Sequence, residues 1–154
     1  MLKPILLVED NPHDLELTLI ALSRSQLANE VIIARDGAEA LDYLMLRGQY
    51  HDRQAGNPAV VLLDLKLPKV DGLEVLKAIR TTEGLRSTPV VMLTSSKEEQ
   101  DLIRSYELGV NAYVVKPVDF GEFVRAIADL GIFWAVLNEP PPGSARYVKP
   151  NNHK

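Results

Sequence analysis

Short apolar runs alternate with longer segments of helical periodicity along this chain, and the alternation occurs five times. The apolar runs predict strands and the intervening segments predict helices. Numbered in chain order, the predicted elements are β1 (Pro4–Val8), α1 (Pro12–Ser23), β2 (Glu30–Ala34), α2 (Gly37–Leu46), β3 (Ala59–Asp64), α3 (Gly72–Thr81), β4 (Pro89–Thr94), α4 (Lys97–Leu108), β5 (Ala112–Val115) and α5 (from Asp119). This order is typical of a doubly wound α/β sheet.

Two segments do not fit this simple alternation. The polar stretch Arg47–Pro58 predicts an enlarged surface loop between α2 and β3. After Leu137, three consecutive prolines stop any helix, and the residues beyond them are predicted to be unstructured. We therefore expect one domain over residues 1–138, followed by a proline-rich flexible tail over residues 139–154.

Composition and charge narrow the function classes. The chain has no cysteine, which excludes a disulfide scaffold, a thiol nucleophile and a zinc cluster built on sulfur. A net charge of −4 without a basic cluster argues against a nucleic-acid surface and favours a protein partner. No stretch approaches the roughly 18 apolar residues of a membrane-spanning helix. We expect a cytoplasmic protein.

Five polar residues follow the ends of apolar runs, and together they indicate one site. They are Glu9, Asp10, Asp64, Thr94 and Lys116. In an open parallel sheet, ligands bind outside the carboxyl ends of the strands, where the strand order reverses. One pocket at that edge therefore accommodates all five residues.

The residue types in this pocket predict a magnesium site with a phosphoryl acceptor. Clustered carboxylates repel one another unless a cation neutralises them, and Mg²⁺ prefers oxygen ligands. We expect Asp10 and Asp64 to bind it, with Glu9 acting directly or through water and the backbone carbonyl of Lys66 adding one oxygen. The Asp64 carboxylate is also a candidate nucleophile towards phosphorus. Thr94 and Lys116 then contact the phosphoryl oxygens, where negative charge concentrates.

Each of these residues has a simpler explanation when taken alone. A carboxylate at a strand end is often a solvated turn residue or a helix cap, and Thr94 alone is explained as the cap of α4. Asp14, after the predicted cap Asn11, is explained as a favourable charge at the positive end of the α1 dipole. His13, in the first turn of the same helix, has no partner histidine nearby and is interpreted as exposed surface. The joint placement of the five residues carries the functional interpretation.

The motifs around these residues give the chain a clear resemblance. From about Lys3 to Leu137 it resembles the receiver domain of two-component response regulators, through Val8-Glu9-Asp10-Asn11, Leu62-Leu63-Asp64-Leu65 with Pro68 and Asp71-Gly72, Leu93-Thr94-Ser95, and Tyr113-Val114-Val115-Lys116-Pro117. The resemblance implies a flavodoxin-like fold with five parallel strands in the order 2-1-3-4-5. It also implies that Asp64 accepts a phosphoryl group from a phosphohistidine on a sensor kinase, with Mg²⁺ as cofactor, and later loses it by hydrolysis.

The resemblance further implies a switch on the face formed by α4, β5 and α5. Thr94 closes on the phosphoryl group and Tyr113 turns inward, which biases an equilibrium between two packings of that face. For Tyr113, a half-buried strand residue is the simpler explanation. The Lys116–Pro117 peptide bond is expected to be cis, since the bond before proline is the one where cis is accessible.

The subfamily is indicated by the enlarged α2–β3 loop and by the aromatic and proline-rich ending. These features resemble small receivers that partner phytochrome-type photoreceptor kinases. Along α5, Phe120, Phe123, Val124, Ile127, Leu130 and Trp134 form one core-facing stripe, but beyond Gly131 apolar residues cover every direction. Such a patch usually marks an interface.

We therefore predict a homodimer through α5 and the C-terminal region. Its partner face is assigned to Phe123, Ile127, Leu130, Phe133, Trp134 and Leu137. The alternative is that the end of the helix folds under the proline-rich tail.

Three other functions compete with phosphoryl acceptance. A haloacid-dehalogenase-type phosphohydrolase also uses a strand-end aspartate and Mg²⁺, but its second aspartate would stand where this chain has Lys66. A docking module that takes no phosphoryl group is disfavoured because all five pocket residues are present. A nucleotide-binding protein is disfavoured because neither a Walker loop nor a Gly-x-Gly-x-x-Gly turn follows β1. A regulator that catalyses only its own phosphorylation and dephosphorylation is the preferred interpretation.

Overall fold

The computed structural model describes residues 3–24, 27, 29–95, 104, 107–110 and 112–131. Within these residues the strands are β1 (Ile5–Val8), β2 (Val31–Ala34), β3 (Val60–Asp64), β4 (Val90–Thr94) and β5 (Ala112–Val115), and the helices are α1 (Pro12–Arg24), α2 (Gly37–Met45), α3 (Gly72–Thr81) and α5 (Phe120–Asp129). Most of the predicted helix α4 lies outside the described residues. None of the described helices is long and apolar enough to cross a membrane.

The strands form one parallel sheet in the order β2-β1-β3-β4-β5, which confirms the predicted fold class and topology. Strands β1 to β4 each begin one residue later than predicted, and in β1 and β4 the residue left out is a proline, Pro4 or Pro89. The carbonyls of these prolines do accept hydrogen bonds, from Ala59 at 2.8 Å and Val61 at 2.9 Å. Because proline has no backbone N–H, it cannot donate in return, and ladder pairing starts at the next residue.

Both faces of the sheet are covered, and the central strands are buried from end to end. On β1, Ile5 and Leu7 face the core layer under α1 and α5, whereas Leu6 and Val8 face the layer under α2 and α3. Side chains alternate between the faces of a strand, so a continuous apolar run supplies both layers. The doubly covered sheet leaves the carboxyl ends of the strands as one edge where polar side chains converge.

Helix starts are fixed by side-chain caps. The Asn11 side chain accepts a hydrogen bond from the backbone N–H of Asp14 at 2.9 Å, as its position before α1 predicts. Asp71 and Glu74 form a reciprocal capping box at the start of α3. Asp119 caps α5 through the N–H of Glu122, so the helix itself begins one residue later, at Phe120.

The connection between α2 and β3 is a polar surface stretch, but side-chain contacts hold it against α2. It contains a 3-10 turn over Gly48–Tyr50. The guanidinium of Arg53 donates to the carbonyl of Tyr43 at 2.7 Å and lies 4.0 Å from the centre of its ring. The ring of Tyr50 packs edge-on against Tyr43, and its hydroxyl donates to Glu39. These contacts order the enlarged loop against α2.

The predicted faces of α5 require correction. The sequence places Phe123 and Ile127 both in the core-facing stripe and on the partner face. They are 1% and 0% exposed and belong to the core under α1, which confirms the first prediction and contradicts the second. Leu130 is partly buried and packs against that core. Phe120, predicted to face the core, is 44% exposed and is the first residue of α5. The remaining residues of the predicted partner face, Phe133, Trp134 and Leu137, lie outside the described residues.

Candidate functional site

The carboxyl ends of four strands bring the predicted polar residues to one edge of the sheet. Glu9 follows β1, Asp64 ends β3, Thr94 ends β4 and Lys116 follows β5. The ladder continues through this edge, because the N–H of Glu9 donates to Ala34 and the N–H of Lys116 donates to Thr94. The backbone positions of these residues are therefore fixed by the sheet itself.

Three carboxylates form a compact group at this edge. Glu9, Asp10 and Asp64 each place one carboxylate oxygen within 4.8 Å of the others. Glu9 and Asp64 are buried, and Asp10 is exposed. The cluster is thus closed on the sheet side and open towards solvent at Asp10.

Lys116 stands against this cluster as its positive counterpart. The Lys116 Nζ atom lies 3.3 Å from Glu9 Oε1, 3.3 Å from Asp64 Oδ2 and 2.9 Å from Asp14 Oδ2. Burial alone would lower the pKa of Lys116, but the hydrogen bond to Asp14 and the charges of Asp64 and Glu9 outweigh burial and raise the pKa. Lys116 therefore remains an ammonium ion within the pocket.

The pKa values of the two buried carboxyl groups, Glu9 and Asp64, are raised. Burial, the hydrogen bond with Asp64 and the negative charge of Asp64 raise the pKa of Glu9 to about 7. Burial also raises the pKa of Asp64, and its contacts with Glu9 and Lys116 offset that effect only in part. Both carboxyl groups therefore bind a proton more readily than free carboxyl groups do.

This chemistry fits a hard divalent cation. Two buried carboxyl groups with raised pKa values, next to an exposed third, supply oxygen ligands whose mutual repulsion a cation would relieve. Mg²⁺ is usually held by one or two carboxylates together with water and substrate oxygens. Glu9, Asp10 and Asp64 are the residues that would hold it here.

The raised pKa of Glu9 predicts that stability depends on pH in the absence of metal. With EDTA present, we expect the free energy of unfolding to fall by about 2 kcal/mol between about pH 5 and pH 8. The Glu9 pKa rises from 4.5 to about 7 on folding, so the folded protein binds the extra proton in this window. This stabilisation is complete below the unfolded pKa and is lost as pH rises through the folded one. Urea unfolding at both pH values measures it.

The control for this prediction is Glu9→Gln. Glutamine keeps the size of the side chain but cannot ionise, so most of the difference between the two pH values should disappear. A wild-type protein that is equally stable, or more stable, at the higher pH would contradict the raised pKa of Glu9.

Thr94 contributes a buried hydroxyl group at the end of β4. The residue is 1% exposed, and its Oγ1 atom has no hydrogen-bond partner within the described part of the chain. Buried hydroxyl groups are normally paired, because leaving one unpaired costs about 1–3 kcal/mol. A buried unpaired donor beside an acidic pocket is suited to a ligand that brings acceptor oxygens.

The loop between β3 and α3 closes tightly under Asp64. The backbone N–H of Lys66 hydrogen-bonds to the Asp64 carboxylate. A Cβ atom on Gly72 would lie 2.2 Å from the carbonyl oxygen of Asp64, so only glycine fits there. The Lys66 carbonyl remains a predicted metal ligand.

The structure also locates the other residues named from the sequence. The Lys116–Pro117 peptide bond is cis, as the resemblance implies. Tyr113 is partly buried and packs against the core layer under α2 and α3, and its role in a switch remains a prediction. His13 and His51 are exposed, and His153 lies outside the described residues.

Sequence reasoning missed the position of Asp14 in the site. The residue was explained by the helix dipole, yet its carboxylate makes the shortest of the three Lys116 contacts. The available signal was its position in the first turn of α1, directly after the strand end that carries Glu9 and Asp10. That position alone does not distinguish a pocket residue from an exposed one.

Known proteins match this chain over most of its length. A family model described as the response regulator receiver domain matches residues 5–128. The structure of the bacteriophytochrome response regulator AtBRR is 72% identical, with a TM-score of 0.83, and the match covers 90% of this chain and 99% of that one. Bacteriophytochrome response regulator RtBRR is 74% identical, with a TM-score of 0.84 over 94% of this chain and 87% of that one.

A third relative comes from Synechocystis sp. The response regulator Rcp1 is 42% identical over 132 residues, which cover 86% of this chain and 88% of Rcp1. The crystal structure of its Mn(2+)-bound form matches with a TM-score of 0.69, over 86% of this chain and 92% of that one. The fold, the strand-end residues and these matches agree: the chain belongs to the family of response regulator receiver domains.

Proposed function

We propose that this protein accepts a phosphoryl group on Asp64 from the phosphohistidine of a sensor kinase, with Mg²⁺ as cofactor. One observation carries the proposal: the buried Asp64 carboxylate has the Lys116 ammonium 3.3 Å away, next to a buried Thr94 hydroxyl that lacks a partner in the described part of the chain. A nucleophile, a cation and an unpaired donor are the groups that phosphoryl transfer requires.

The transfer step follows from the roles of these groups. A carboxylate oxygen of Asp64 attacks phosphorus and forms a new O–P bond, while the N–P bond of the donor breaks and its electron pair returns to the ring nitrogen. When the other ring nitrogen already carries a proton, neutral histidine leaves. The Lys116 ammonium and the Thr94 hydroxyl then bind oxygens of the transferred group. In a loose transition state the negative charge is spread over the three equatorial oxygens, and such contacts stabilise it there.

Mg²⁺, when bound, would neutralise negative charge on the carboxylates and on the phosphoryl oxygens. Glu9, Asp10 and Asp64 are the proposed ligands, with the Lys66 carbonyl as a further oxygen. The Mn(2+)-bound form of Rcp1 supports this proposal, because it comes from a relative 42% identical over most of this chain.

The partner proposed here is a phytochrome-type photoreceptor kinase. The support is the identity of 72% and 74% to two bacteriophytochrome response regulators. The acyl phosphate adds about −1.5 to −2 charge and three acceptor oxygens beside Thr94 and Lys116. Movement of these two side chains towards the phosphoryl group would bias the face formed by the predicted α4, β5 and α5, through which the protein would signal and form its homodimer.

Intact mass spectrometry after incubation with acetyl phosphate tests the proposal. With Mg²⁺ present, we expect the mass of one phosphoryl group to be added to the folded protein. With EDTA in place of Mg²⁺, we expect little or none, because the buried carboxylates then repel the dianionic donor. A folded protein that binds Mg²⁺ and gains no mass would contradict the proposal and favour a docking module that acts without phosphorylation.

A further inference from the structure

Asp14 occupies a position from which it controls the Lys116 ammonium. An ammonium group has three N–H donors. In this structure those donors face Glu9, Asp64 and Asp14, and the contact with Asp14 is the shortest, at 2.9 Å against 3.3 Å for the other two. Three carboxylates thus surround the ammonium group that would bind a phosphoryl oxygen.

The position of Asp14 is fixed independently of the pocket. Its backbone N–H donates to the side chain of Asn11, which caps α1, and this contact anchors the first helical turn. The Asp14 side chain is 29% exposed, whereas that of Glu9 is fully buried. Asp14 therefore approaches Lys116 from the helix side, outside the group of three carboxylates that would hold a metal.

We propose that Asp14 is a positioning residue that competes with the phosphoryl group for Lys116 and so slows phosphorylation of Asp64. This inference rests on the proposed phosphoryl acceptance. To contact a phosphoryl oxygen, the ammonium has to give up one of its three carboxylate contacts. A charge-assisted hydrogen bond is roughly twice as strong as a neutral one, so the contact with Asp14 opposes that exchange. Its negative charge also repels the approaching donor.

Two substitutions at this position separate charge from size. Asp14→Asn keeps an oxygen that accepts from Lys116 but removes the negative charge, and we expect phosphorylation by acetyl phosphate to become about fivefold faster. Asp14→Glu keeps the charge on a longer side chain, and we expect it to restore most of the slow wild-type rate. Glu16→Gln is the matched control, because Glu16 is an exposed carboxylate on the same helix; its rate should equal that of wild type.

The reaction measured is balanced without an additional reactant. A carboxylate oxygen of Asp64 forms a bond to phosphorus, the bond from phosphorus to the bridging oxygen of acetyl phosphate breaks, and acetate leaves with the electron pair. The rate is followed by intact mass at a fixed Mg²⁺ concentration. Urea unfolding of each variant verifies that a change in rate does not come from a change in folding.

A second readout is independent of covalent chemistry. Beryllium trifluoride, added with Mg²⁺, imitates a phosphoryl group on a carboxylate without transferring one. We expect its dissociation constant to be about fivefold lower for Asp14→Asn than for wild type, and unchanged for Glu16→Gln. A substitution that only loosened the helix would weaken this binding rather than strengthen it.

The outcomes distinguish this inference from the function on which it rests. If wild type and Asp14→Asn are phosphorylated at the same rate, or the variant is slower, the competing role of Asp14 is wrong while phosphoryl acceptance stands. If neither protein takes up a phosphoryl group, the proposed function fails, and the inference fails with it. The inference is supported if Asp14→Asn is phosphorylated faster and binds beryllium trifluoride more tightly than wild type, while Glu16→Gln does neither.

Discussion

Asp64→Asn is expected to take up no phosphoryl group from acetyl phosphate, while it stays folded and becomes more stable at neutral pH without metal. The amide cannot act as the nucleophile that a carboxylate provides. The gain in stability, about 1 kcal/mol, follows because the substitution removes a buried acidic group whose negative charge raises the pKa of Glu9. Both Asp64 and Glu9 are almost completely buried. Intact mass and urea unfolding in EDTA measure the two effects.

The matched control for this variant is Asp71→Asn in the same loop. Asp71 caps α3 through the N–H of Glu74, and asparagine caps a helix about as well as aspartate. This variant should be phosphorylated like wild type. Phosphorylation of Asp64→Asn at the wild-type level would show that another side chain is the acceptor.

Lys116→Met is expected to have the second large effect. It removes the cation that lies within 3.3 Å of Glu9, Asp14 and Asp64 and leaves their charges uncompensated. Breaking a buried ion pair by removing one partner typically costs about 3–5 kcal/mol. We expect a loss of about 3 kcal/mol at pH 8 in EDTA and a smaller loss at pH 5, because the raised pKa values of Glu9 and Asp64 let these two groups bind protons more readily at the lower pH. Phosphorylation should slow by about a hundredfold or more, since a charge that stabilises the transition state is lost.

Lys77→Met is the control for the loss of a positive charge, because Lys77 is an exposed residue of α3. It should change the free energy of unfolding by less than about 0.5 kcal/mol. Mg²⁺ should stabilise Lys116→Met more than it stabilises wild type, since the metal then replaces the ammonium group that the cluster has lost. Equal stability of Lys116→Met and Lys77→Met in EDTA would contradict the account of the pocket.

The fold could be predicted from the sequence because its central strands are apolar on both sides. A run such as Ile5–Val8, buried along its whole length, has few alternatives to the centre of a parallel sheet with helices on both faces. The α2–β3 connection was harder. Its polar composition indicates a surface loop. The contacts of Arg53 with Tyr43 and of Tyr50 with Glu39 join loop residues to α2, and the periodicity of the sequence gives no sign of them.

Sequence reasoning could predict the site residues that the strand order brings together. It could not predict a residue that joins the site only through a long side chain from another element. Glu9, Asp64, Thr94 and Lys116 converge because parallel strands end at one edge. Asp14 joins them because a lysine on another element reaches across to α1, and strand ends give no information about that contact.

The partner face predicted on α5 shows a related limit of sequence-based prediction. An apolar stripe at helical spacing fits both a core face and a partner face. Packing against α1 and the sheet decides that Phe123 and Ile127 belong to the core, whereas Phe120, at the start of the helix, is left exposed. The spacing of apolar residues along a helix does not distinguish a buried position from an exposed one, because it does not say what packs against each position.

The most direct test of phosphoryl acceptance is to locate the modified residue. Wild-type protein is phosphorylated with acetyl phosphate and Mg²⁺, and the acyl phosphate is reduced with borohydride, which converts a phosphorylated aspartate to homoserine. Peptide sequencing by mass spectrometry then identifies the position. We expect homoserine at residue 64 and unmodified aspartate at residues 10, 14 and 71. Homoserine at another position, or none after efficient phosphorylation, would contradict the assignment of Asp64 as the acceptor.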